Sequence, residues 1–228
     1  MKIFTDWSER FQGYFTGFSD KFQTIFENPT SLIGLIGLAI LIFVLFRFKK
    51  VKLDAKIIAR IGIAIAIACI LQVLRIYHFP MGGSVTLGGM VPLLIIAFIY
   101  GPEVGMLAGF AYGVLNLFLD PYFVHPVQIL FDYPLPSVAI GLAGYFRNKP
   151  ILGTGVAFFV KFICHFISGV VFFGEYAADY GMGKLLYSAA VNAPMVGADA
   201  IICMVILALI PLNRIIKNQK TSIQGNLI

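Results

Sequence analysis

The sequence predicts an all-α integral membrane protein in which one extra transmembrane helix precedes a six-helix core. Hydrophobic residues make up 59% of the 228 residues, and the mean hydropathy is +0.90. Charged residues make up only 12% of the chain, about half of the ~25% found in an average soluble protein. These values exclude a soluble globular domain and a disordered chain. The 22 phenylalanines and 23 glycines are typical of membrane helices and their interfaces.

Seven apolar runs are long enough, or nearly so, to cross a hydrocarbon core that needs roughly 20 helical residues. They cover residues 31–48, 55–76, 88–100, 103–119, 124–146, 152–173 and 185–212. The third and fourth runs are short, and Gly101 and Pro102 separate them. Because the residue before a proline avoids helical angles, we predict two short spans there rather than one long span.

The N-terminal segment, residues 1–30, carries an aromatic side chain every three or four positions, which would make one face of a helix aromatic. We expect this helix to lie in the outer membrane interface; the alternative is an extension with no specific role. The next run begins too late for a signal peptide, and no small-residue cleavage site follows it. The predicted organisation is an interfacial segment (1–30), an additional transmembrane helix (31–48), a six-helix core (55–213) and a cytoplasmic tail (214–228).

The distribution of basic residues predicts the topology. Between the first two spans the chain carries Arg47, Lys49, Lys50, Lys52, Lys56 and Arg60. Lys and Arg concentrate in cytoplasmic loops, so this joint is predicted to be cytoplasmic. Alternation then leaves only Arg75 and Lys184 in the outside loops, with the N-terminus outside and the C-terminus in the cytoplasm. The net charge of +6 is thereby explained without a nucleic-acid partner.

Motifs for catalysis are missing from the sequence. The stretch Gly181–Lys184 lacks the upstream glycine and the following Ser or Thr of an ATP-binding Walker A loop. Neither the zinc-protease nor the serine-hydrolase motif is present, and the three cysteines have no metal-binding spacing. If the protein moves a solute uphill, the energy must come from an ion gradient or another protein.

Two sets of small residues recur at four-residue spacing, which lets helices approach closely. Gly101, Gly105, Gly109 and Gly113 predict a tightly packed helix interface. Ala64 and Ala68 in the first core span are open to two interpretations, either another internal packing face or a docking strip for a partner helix.

Polar side chains that lie in apolar spans are costly and usually functional. With the predicted topology, Asp132, Lys161, His165, Tyr187 and Asn192 all fall in the outer half of the membrane. We therefore expect a pocket open to the outside that accepts a small aromatic cation or a hydrogen-bonding heterocycle. The alternative is a structural network that pairs Asp132 with Lys161 and His165 with a backbone carbonyl.

Two features border this predicted pocket. Pro134 and Pro136 should kink the helix after Asp132, since each proline removes a helical hydrogen bond. The glycine-rich loop 77–89 lies on the same side of the membrane, where it forms either a lid or a simple connector.

Four ordered motifs in the core carry a resemblance to a known family. They are Gly82-Gly83-Ser84-Val85-Thr86-Leu87-Gly88, His125-Pro126-Val127-Gln128-Ile129-Leu130-Phe131-Asp132-Tyr133-Pro134-Leu135, His165-Phe166-Ile167-Ser168-Gly169-Val170-Val171-Phe172-Phe173-Gly174 and Tyr187-Ser188-Ala189-Ala190-Val191-Asn192. With these motifs, residues 55–213 resemble the thiamine-specific S components of energy-coupling-factor (ECF) vitamin transporters. Residues 1–48 lie outside the resemblance.

The resemblance implies a transport subunit in a prokaryotic cell membrane rather than an enzyme. Such S components bind a vitamin, here thiamine, from outside and associate with a transmembrane coupling protein and two ATPases. They are thought to topple in the membrane to release the vitamin inward. No cofactor is implied, and the partner ATPases account for the missing Walker A loop.

The resemblance also assigns roles to residues. Asp132 faces the cationic ligand with Tyr133 beside it, and His165 packs against the thiazolium ring. Phe173 stacks on the pyrimidine ring, to which Tyr187 and Asn192 donate or accept hydrogen bonds.

Further residues complete the implied site. Tyr122 lines the pocket from its loop, Ser84 lies in the lid, and Lys161 is the partner of Asp132. Ala64 and Ala68 match the strip that contacts the coupling protein. Some family members have Glu and Trp at the positions of Asp132 and Phe173, which affects affinity and selectivity rather than the identity of the ligand.

Three other functions stay open on the sequence. The same architecture would serve another vitamin or a thiamine precursor. An intramembrane enzyme would use Asp132 and His165 as acid and base, although no nucleophile or metal ligand is convincingly placed beside them. A structural membrane protein would use the polar cluster only to lock helices together.

Overall fold

A computed structural model describes residues 29–48, 51, 53–78, 83–122, 124–212 and 214–216. Its helices are α1 (Pro29–Phe48), α2 (Ala55–Val73), α3 (Val91–Tyr100), α4 (Pro102–Leu119), α5 (Pro126–Asp132), α6 (Pro134–Ile140), α7 (Pro150–Phe172) and α8 (Lys184–Leu209). Two 3-10 helices, η1 (Gly141–Phe146) and η2 (Gly174–Tyr180), and two strands, β1 (Arg75–His78) and β2 (Ser84–Thr86), complete the described elements. Residues 1–28 of the predicted interfacial segment lie outside the described residues. The same holds for residues 217–228 of the predicted tail.

The predicted all-α membrane architecture is confirmed. Within the described residues, six helical stretches are long and apolar enough to cross a membrane: α1, α2, α4, the consecutive helices α5, α6 and η1 (Pro126–Phe146), α7 and α8. The chain is therefore a multi-pass membrane protein, with α1 preceding the six-helix core.

The third predicted span is shorter than expected. Helix α3 has ten residues and is about 15 Å long at 1.5 Å per residue, so it cannot cross the membrane alone. Its central side chains, such as Leu93 and Phe98, are fully buried in the core. Gly101 at φ +103° separates α3 from α4, which confirms the predicted break at Gly101-Pro102.

The glycine-rich loop contains a small sheet that the sequence did not predict. Strands β1 and β2 pair antiparallel, with His78 opposite Ser84 and Arg75 opposite Thr86. Thr86 is buried against α8, whereas β1 is exposed. The hairpin therefore contacts the helical bundle through its second strand, which is hydrogen-bonded to α8, while its first strand is exposed.

The glycine stripe brings the backbones of α4 and α6 into direct contact. A Cβ atom built on Gly109 would lie 2.1 Å from the carbonyl oxygen of Ser137, and one on Gly113 would lie 2.6 Å from that of Tyr133. Gly105 is equally close to Ala97 of α3. The packing interpretation of this stripe is confirmed for these three glycines.

The helix after Asp132 is interrupted as Pro134 and Pro136 predict. Helix α5 ends at Asp132, Tyr133 adopts φ −118° and ψ −75°, and α6 begins at Pro134. Because proline has no N–H to donate, the chain cannot continue the regular hydrogen-bond ladder here. The break leaves α5 as a separate half-helix of seven residues.

Ala64 and Ala68 point into the protein. They are 6% and 0% exposed, and both belong to the hydrophobic core. Because these side chains are buried, they cannot contact a partner helix, and the prediction that they form a docking strip must be revised. Their burial agrees with the alternative interpretation of an internal packing face. On the opposite face of α2, Gly62 and Ala66 have the same four-residue spacing and are exposed.

The extra helix α1 packs against α5 and α4. A Cβ atom on Gly34 would lie 2.9 Å from Val127, and one on Gly37 would lie 2.8 Å from the ring of Phe131. At the other end of α1, Arg47 forms a 3.3 Å ion pair with Glu103 at the start of α4.

Candidate ligand-binding site

A cavity of about 270 Å³ opens at one end of the helical bundle. Its walls come from the end of α2, the β-hairpin, the end of α4, the α5–α6 break, α7 and the first half of α8. All nine predicted ligand-binding residues line this single cavity: Ser84, Tyr122, Asp132, Tyr133, Lys161, His165, Phe173, Tyr187 and Asn192. The structure thus brings together side chains that are more than 100 positions apart in the sequence.

Asp132 is the centre of a hydrogen-bond network between α5 and α7. Its Oδ1 lies 3.1 Å from Nδ1 of His165, and its Oδ2 accepts a 2.8 Å hydrogen bond from the hydroxyl of Ser168. The side-chain amide of Gln128, one turn earlier on α5, donates a short hydrogen bond to the same oxygen. These bonds fix the carboxylate and the imidazole at the cavity wall, as the i, i+4 placement of Gln128 and Asp132 on one helix face allows.

Lys161 has a different partner from the one that the resemblance implied. Its ammonium nitrogen lies 3.9 Å from Oδ2 of Asp199 on α8, and Asp132 is not its ion-pair partner. The other Asp199 oxygen accepts hydrogen bonds from the amide (3.1 Å) and the hydroxyl (2.6 Å) of Thr86. The alternative Asp132–Lys161 network is therefore replaced by a Lys161–Asp199–Thr86 cluster deeper in the bundle.

Two of the three carboxylates that line the cavity are paired with a Lys or Arg side chain. Arg75 pairs with Asp120 at the mouth, and Lys161 pairs with Asp199. Among the described residues, Asp132 has no Lys or Arg partner, and its only ion-pair neighbour is His165. The cavity therefore has a surplus of negative charge at Asp132 when His165 is neutral, which suits a ligand carrying one positive charge.

Aromatic rings form the mouth of the cavity. The rings of Tyr122 and Phe173 are stacked with centroids 6.0 Å apart and an interplanar angle of 22°. Tyr187 is buried, and its ring centroid lies 5.6 Å from that of Tyr180. In this arrangement Tyr122 already covers one side of Phe173, so a ligand ring that stacks on Phe173 must use its other face or displace Tyr122.

Tyr133 holds the loop that leads into the site. Its hydroxyl accepts a 2.6 Å hydrogen bond from the amide of Tyr122 and lies 2.8 Å from the carbonyl oxygen of Asp120. The structure therefore uses the Tyr133 hydroxyl to fasten the loop 120–122 to the break between α5 and α6.

Asn192 and Ser84 have polar partners within the wall. The side-chain nitrogen of Asn192 donates to the carbonyl oxygens of Ser188 (3.0 Å) and His165 (3.3 Å). The hydroxyl of Ser84 lies 3.0 Å from Nδ1 of His78 on the opposite strand. His78, Gly83 and Ser84 line the cavity, so the hairpin forms part of the cavity wall, as the lid interpretation requires.

Several lining residues were missed by sequence reasoning. Asp199 is a charged residue in an apolar span to which the sequence analysis assigned no role, and Gln128 and Ser168 lie inside the quoted motifs without one. Gln72 and Tyr112, whose side chains are 3.4 Å apart, and Asn116 gave no signal beyond their polarity. Asn116 is distinctive because its Oδ1 is buried and has no hydrogen-bond partner among the described residues.

The described part of the chain gives no indication of a metal centre. No group of three or more His, Cys, Asp or Glu side chains within the described ranges is arranged to hold a metal ion. Cys69, Cys164 and Cys203 are separate free cysteines.

The fold and the cavity together define a class: a multi-pass helical membrane protein with a polar and aromatic ligand-sized cavity at one end. The model of the family "Thiamine transporter protein (Thia_YuaJ)" matches residues 58–219. The chain therefore belongs to the thiamine transporter protein family, and it is a transport protein rather than an enzyme. The predicted resemblance to thiamine-specific S components is confirmed.

Individual relatives agree with this assignment. The chain is 32% identical to the thiamine transporter ThiT of Bacillus subtilis (strain 168) over 181 residues, which cover 70% of this chain and 93% of the relative. It is 28% identical to ThiT of Lacticaseibacillus paracasei over 142 residues, which cover 54% of this chain and 70% of the relative. A solved structure of ThiT from Listeria monocytogenes matches with a TM-score of 0.61 at 23% identity, covering 67% of this chain and 91% of that one. This last likeness supports the shared fold.

Proposed function

We propose that the protein is the thiamine-binding S component of an ECF-type transporter. In this proposal it captures thiamine from outside the cell and delivers it inward together with a separate coupling protein and two ATPases. The observation that carries the proposal is the Asp132 carboxylate, which lacks a Lys or Arg partner among the described residues and lines a cavity walled by aromatic rings. Thiamine offers the matching chemistry, a single positive charge on one ring and hydrogen-bonding edges on another.

The proposed binding mode assigns one task to each wall. Asp132 balances the positive charge of the thiazolium, and His165, which its hydrogen bond to Asp132 orients, packs beside that ring. Phe173 offers an aromatic face to the pyrimidine. Tyr187 and Asn192 form hydrogen bonds to its polar edge. Tyr122, Tyr133 and Ser84 complete the mouth.

The proposed orientation puts the cavity mouth outside the cell membrane of a prokaryote. Arg47, Arg60 and Arg147 lie at the end of the bundle that holds the α3–α4 turn, since they contact Glu103, Tyr100 and Gly101 respectively. The cavity lies at the opposite end, between the hairpin and the start of α8. Because Lys and Arg concentrate on the cytoplasmic side, this arrangement supports an outside N-terminus and a cytoplasmic C-terminus.

Docking to the coupling protein is proposed for the exposed face of α2. Gly62 and Ala66 lie on that face at four-residue spacing, and a Cβ atom on Gly62 would meet nothing within 4 Å. Small residues of this kind let a partner helix approach closely. The proposed working unit is the core, residues 55–213, with α1 as an addition to it.

Calorimetric titration of thiamine tests the proposed function directly. The protein is purified in detergent from cells grown without thiamine and compared with Asp132→Asn, which keeps the shape of the side chain but removes its charge. We expect one-to-one binding by the wild-type protein and a loss of about 10- to 100-fold in affinity for the variant, the scale of one charge-assisted hydrogen bond.

Asp54→Asn is the matched control, because it makes the same change at a carboxylate that caps the start of α2, away from the cavity, where asparagine caps a helix about as well as aspartate. It should bind thiamine as the wild-type protein does. Folded, ligand-free wild-type protein that gives no heat with thiamine would contradict the proposal, and titration of thiamine precursors would then be the next step.

A further inference from the structure

The extra helix α1 packs on the half-helix that carries Asp132, although no residue of α1 lines the cavity. The match to the family begins at residue 58, so α1 lies outside it. We propose that α1 is a brace for α5 and that Gly37 is a positioning residue, which holds Asp132 at the cavity wall through Phe131. This inference rests on the proposed function, because it concerns the site at which thiamine is expected to bind.

Helix α5 needs support from outside itself. It has only seven residues, about two helical turns, which is far too short to cross the membrane alone. At its end the Tyr133–Pro134 break interrupts the regular ladder of backbone hydrogen bonds to α6. The position of α5 is therefore set mainly by the helices that pack against it.

The two faces of α5 have different neighbours. Gln128 and Asp132, one turn apart, line the cavity and form hydrogen bonds there. Val127, Leu130 and Phe131 form the other face and meet α1. A shift of α5 relative to α1 would thus move the Asp132 carboxylate relative to His165 and Ser168 on α7.

At Gly37 the contact between α1 and α5 is closer than a Cβ atom at that position would allow without a shift of its neighbours. A Cβ atom on Gly37 would lie 2.8 Å from Cε2 and Cζ of Phe131 and 2.9 Å from Cδ2 of Leu130. Gly37 is also the only buried residue among those of α1. Phe131 itself is buried, so its ring has little space into which to move.

The far end of α1 is fixed to the rest of the core. Arg47 forms its ion pair with Glu103, and the ring centroids of Phe48 and Phe110 are 6.5 Å apart. Both partners belong to α4, whose glycines bind it closely to α6. Helix α1 therefore connects the glycine-packed part of the core to the half-helix α5.

The test compares two substitutions that place the same leucine side chain on different faces of α1. Gly37→Leu puts a side chain into the contact with Phe131, whereas Ala39→Leu puts one on the exposed face of the same helix. Titration calorimetry with thiamine should show an affinity loss of about tenfold or more for Gly37→Leu, the scale of one displaced charge-assisted contact. Ala39→Leu should bind as the wild-type protein does.

Two further measurements separate positioning from general damage. Combining Gly37→Leu with Phe131→Ala, which opens the space that the new side chain needs, should restore part of the lost affinity. Hydrogen exchange of the ligand-free protein should increase at residues 127–132 in Gly37→Leu and stay unchanged in α8.

The outcomes distinguish this inference from the proposed function. Wild-type protein that binds no thiamine overturns the proposed function, while the exchange experiment still decides whether α1 holds α5. If the wild-type protein binds thiamine and Gly37→Leu binds it with the same affinity, the inference that α1 positions α5 is overturned. Increased exchange throughout the Gly37→Leu protein overturns it as well, because the substitution would then have loosened the whole bundle.

Discussion

The ammonium nitrogen of Lys161 lies 3.9 Å from Oδ2 of Asp199, and the other oxygen of that carboxylate accepts two hydrogen bonds from Thr86. Asp199 is 2% exposed and Lys161 is 15% exposed. One carboxylate on α8 thus joins α7, which carries Lys161, to the second strand of the hairpin. The cluster connects the proposed lid to the helices that carry His165 and Asn192.

Removal of Asp199 should destabilise the ligand-free protein. Asp199→Ala leaves the Lys161 charge and the Thr86 donors without their acceptor, and breaking a buried pair in this way costs about 3–5 kcal/mol. Thermal unfolding in detergent should show the loss. The double variant Lys161→Met/Asp199→Asn removes both charges and keeps an acceptor for Thr86, so its stability should be closer to wild type. Equal instability of the two variants would contradict the pairing.

Tyr133→Phe should loosen the loop at the cavity mouth. The substitution removes the hydroxyl that accepts a hydrogen bond from the amide of Tyr122, which is partly buried. Leaving a buried donor without an acceptor costs about 1–3 kcal/mol. We expect faster dissociation of thiamine, measured by stopped-flow displacement. Tyr145→Phe, at an exposed tyrosine, serves as the control. Unchanged dissociation in Tyr133→Phe would show that the loop does not need this bond.

The two small-residue pairs of α2 should respond differently to added bulk. Gly62→Leu/Ala66→Leu changes only the exposed face, so the protein should bind thiamine normally but lose uptake when reconstituted with the coupling protein and ATPases. Ala64→Leu/Ala68→Leu inserts bulk into a packed interior, which typically costs about 1–3 kcal/mol at each position, so unfolding should occur at lower temperature. Normal uptake by the first double variant would contradict docking on this face.

Asn116→Leu should leave the ligand-free protein as stable as wild type or make it more stable. The Asn116 Oδ1 is buried without a partner among the described residues, and replacing such a group by an apolar one of similar size relieves its lost hydration. The check is thermal unfolding without ligand, with Asn192→Leu for comparison, because Asn192 has acceptors for its amide group. A clear loss of stability in Asn116→Leu would reveal a partner for its amide.

The sequence predicted the spans well because hydropathy depends on composition along the chain and not on contacts. The break after Asp132 and the turn at Gly101 were equally predictable, since proline limits the backbone wherever it occurs. The β-hairpin was not predicted, because its strands have only four and three residues and the second strand lies between glycines.

The spacing of residues in the sequence predicts which residues share a helix face. It does not predict whether that face is buried in the protein or exposed. Ala64 and Ala68 have the same spacing as Gly62 and Ala66, and only the folded core distinguishes the buried pair from the exposed one. The predicted grouping of Lys161 with the other polar side chains agrees with its position at the cavity. Its partner depended on the rotation of α8 about its axis, which the sequence does not reveal.

The backbone contact between α4 and α6 has a consequence for redesign of the ligand preference. At Gly109 and Gly113 there is no layer of side chains that could be exchanged or repacked, because main-chain atoms fill the space. A library of variants directed at a new vitamin should therefore leave this wall unchanged. It should vary the side chains that the hairpin, the loop 120–122, α7 and α8 contribute to the cavity.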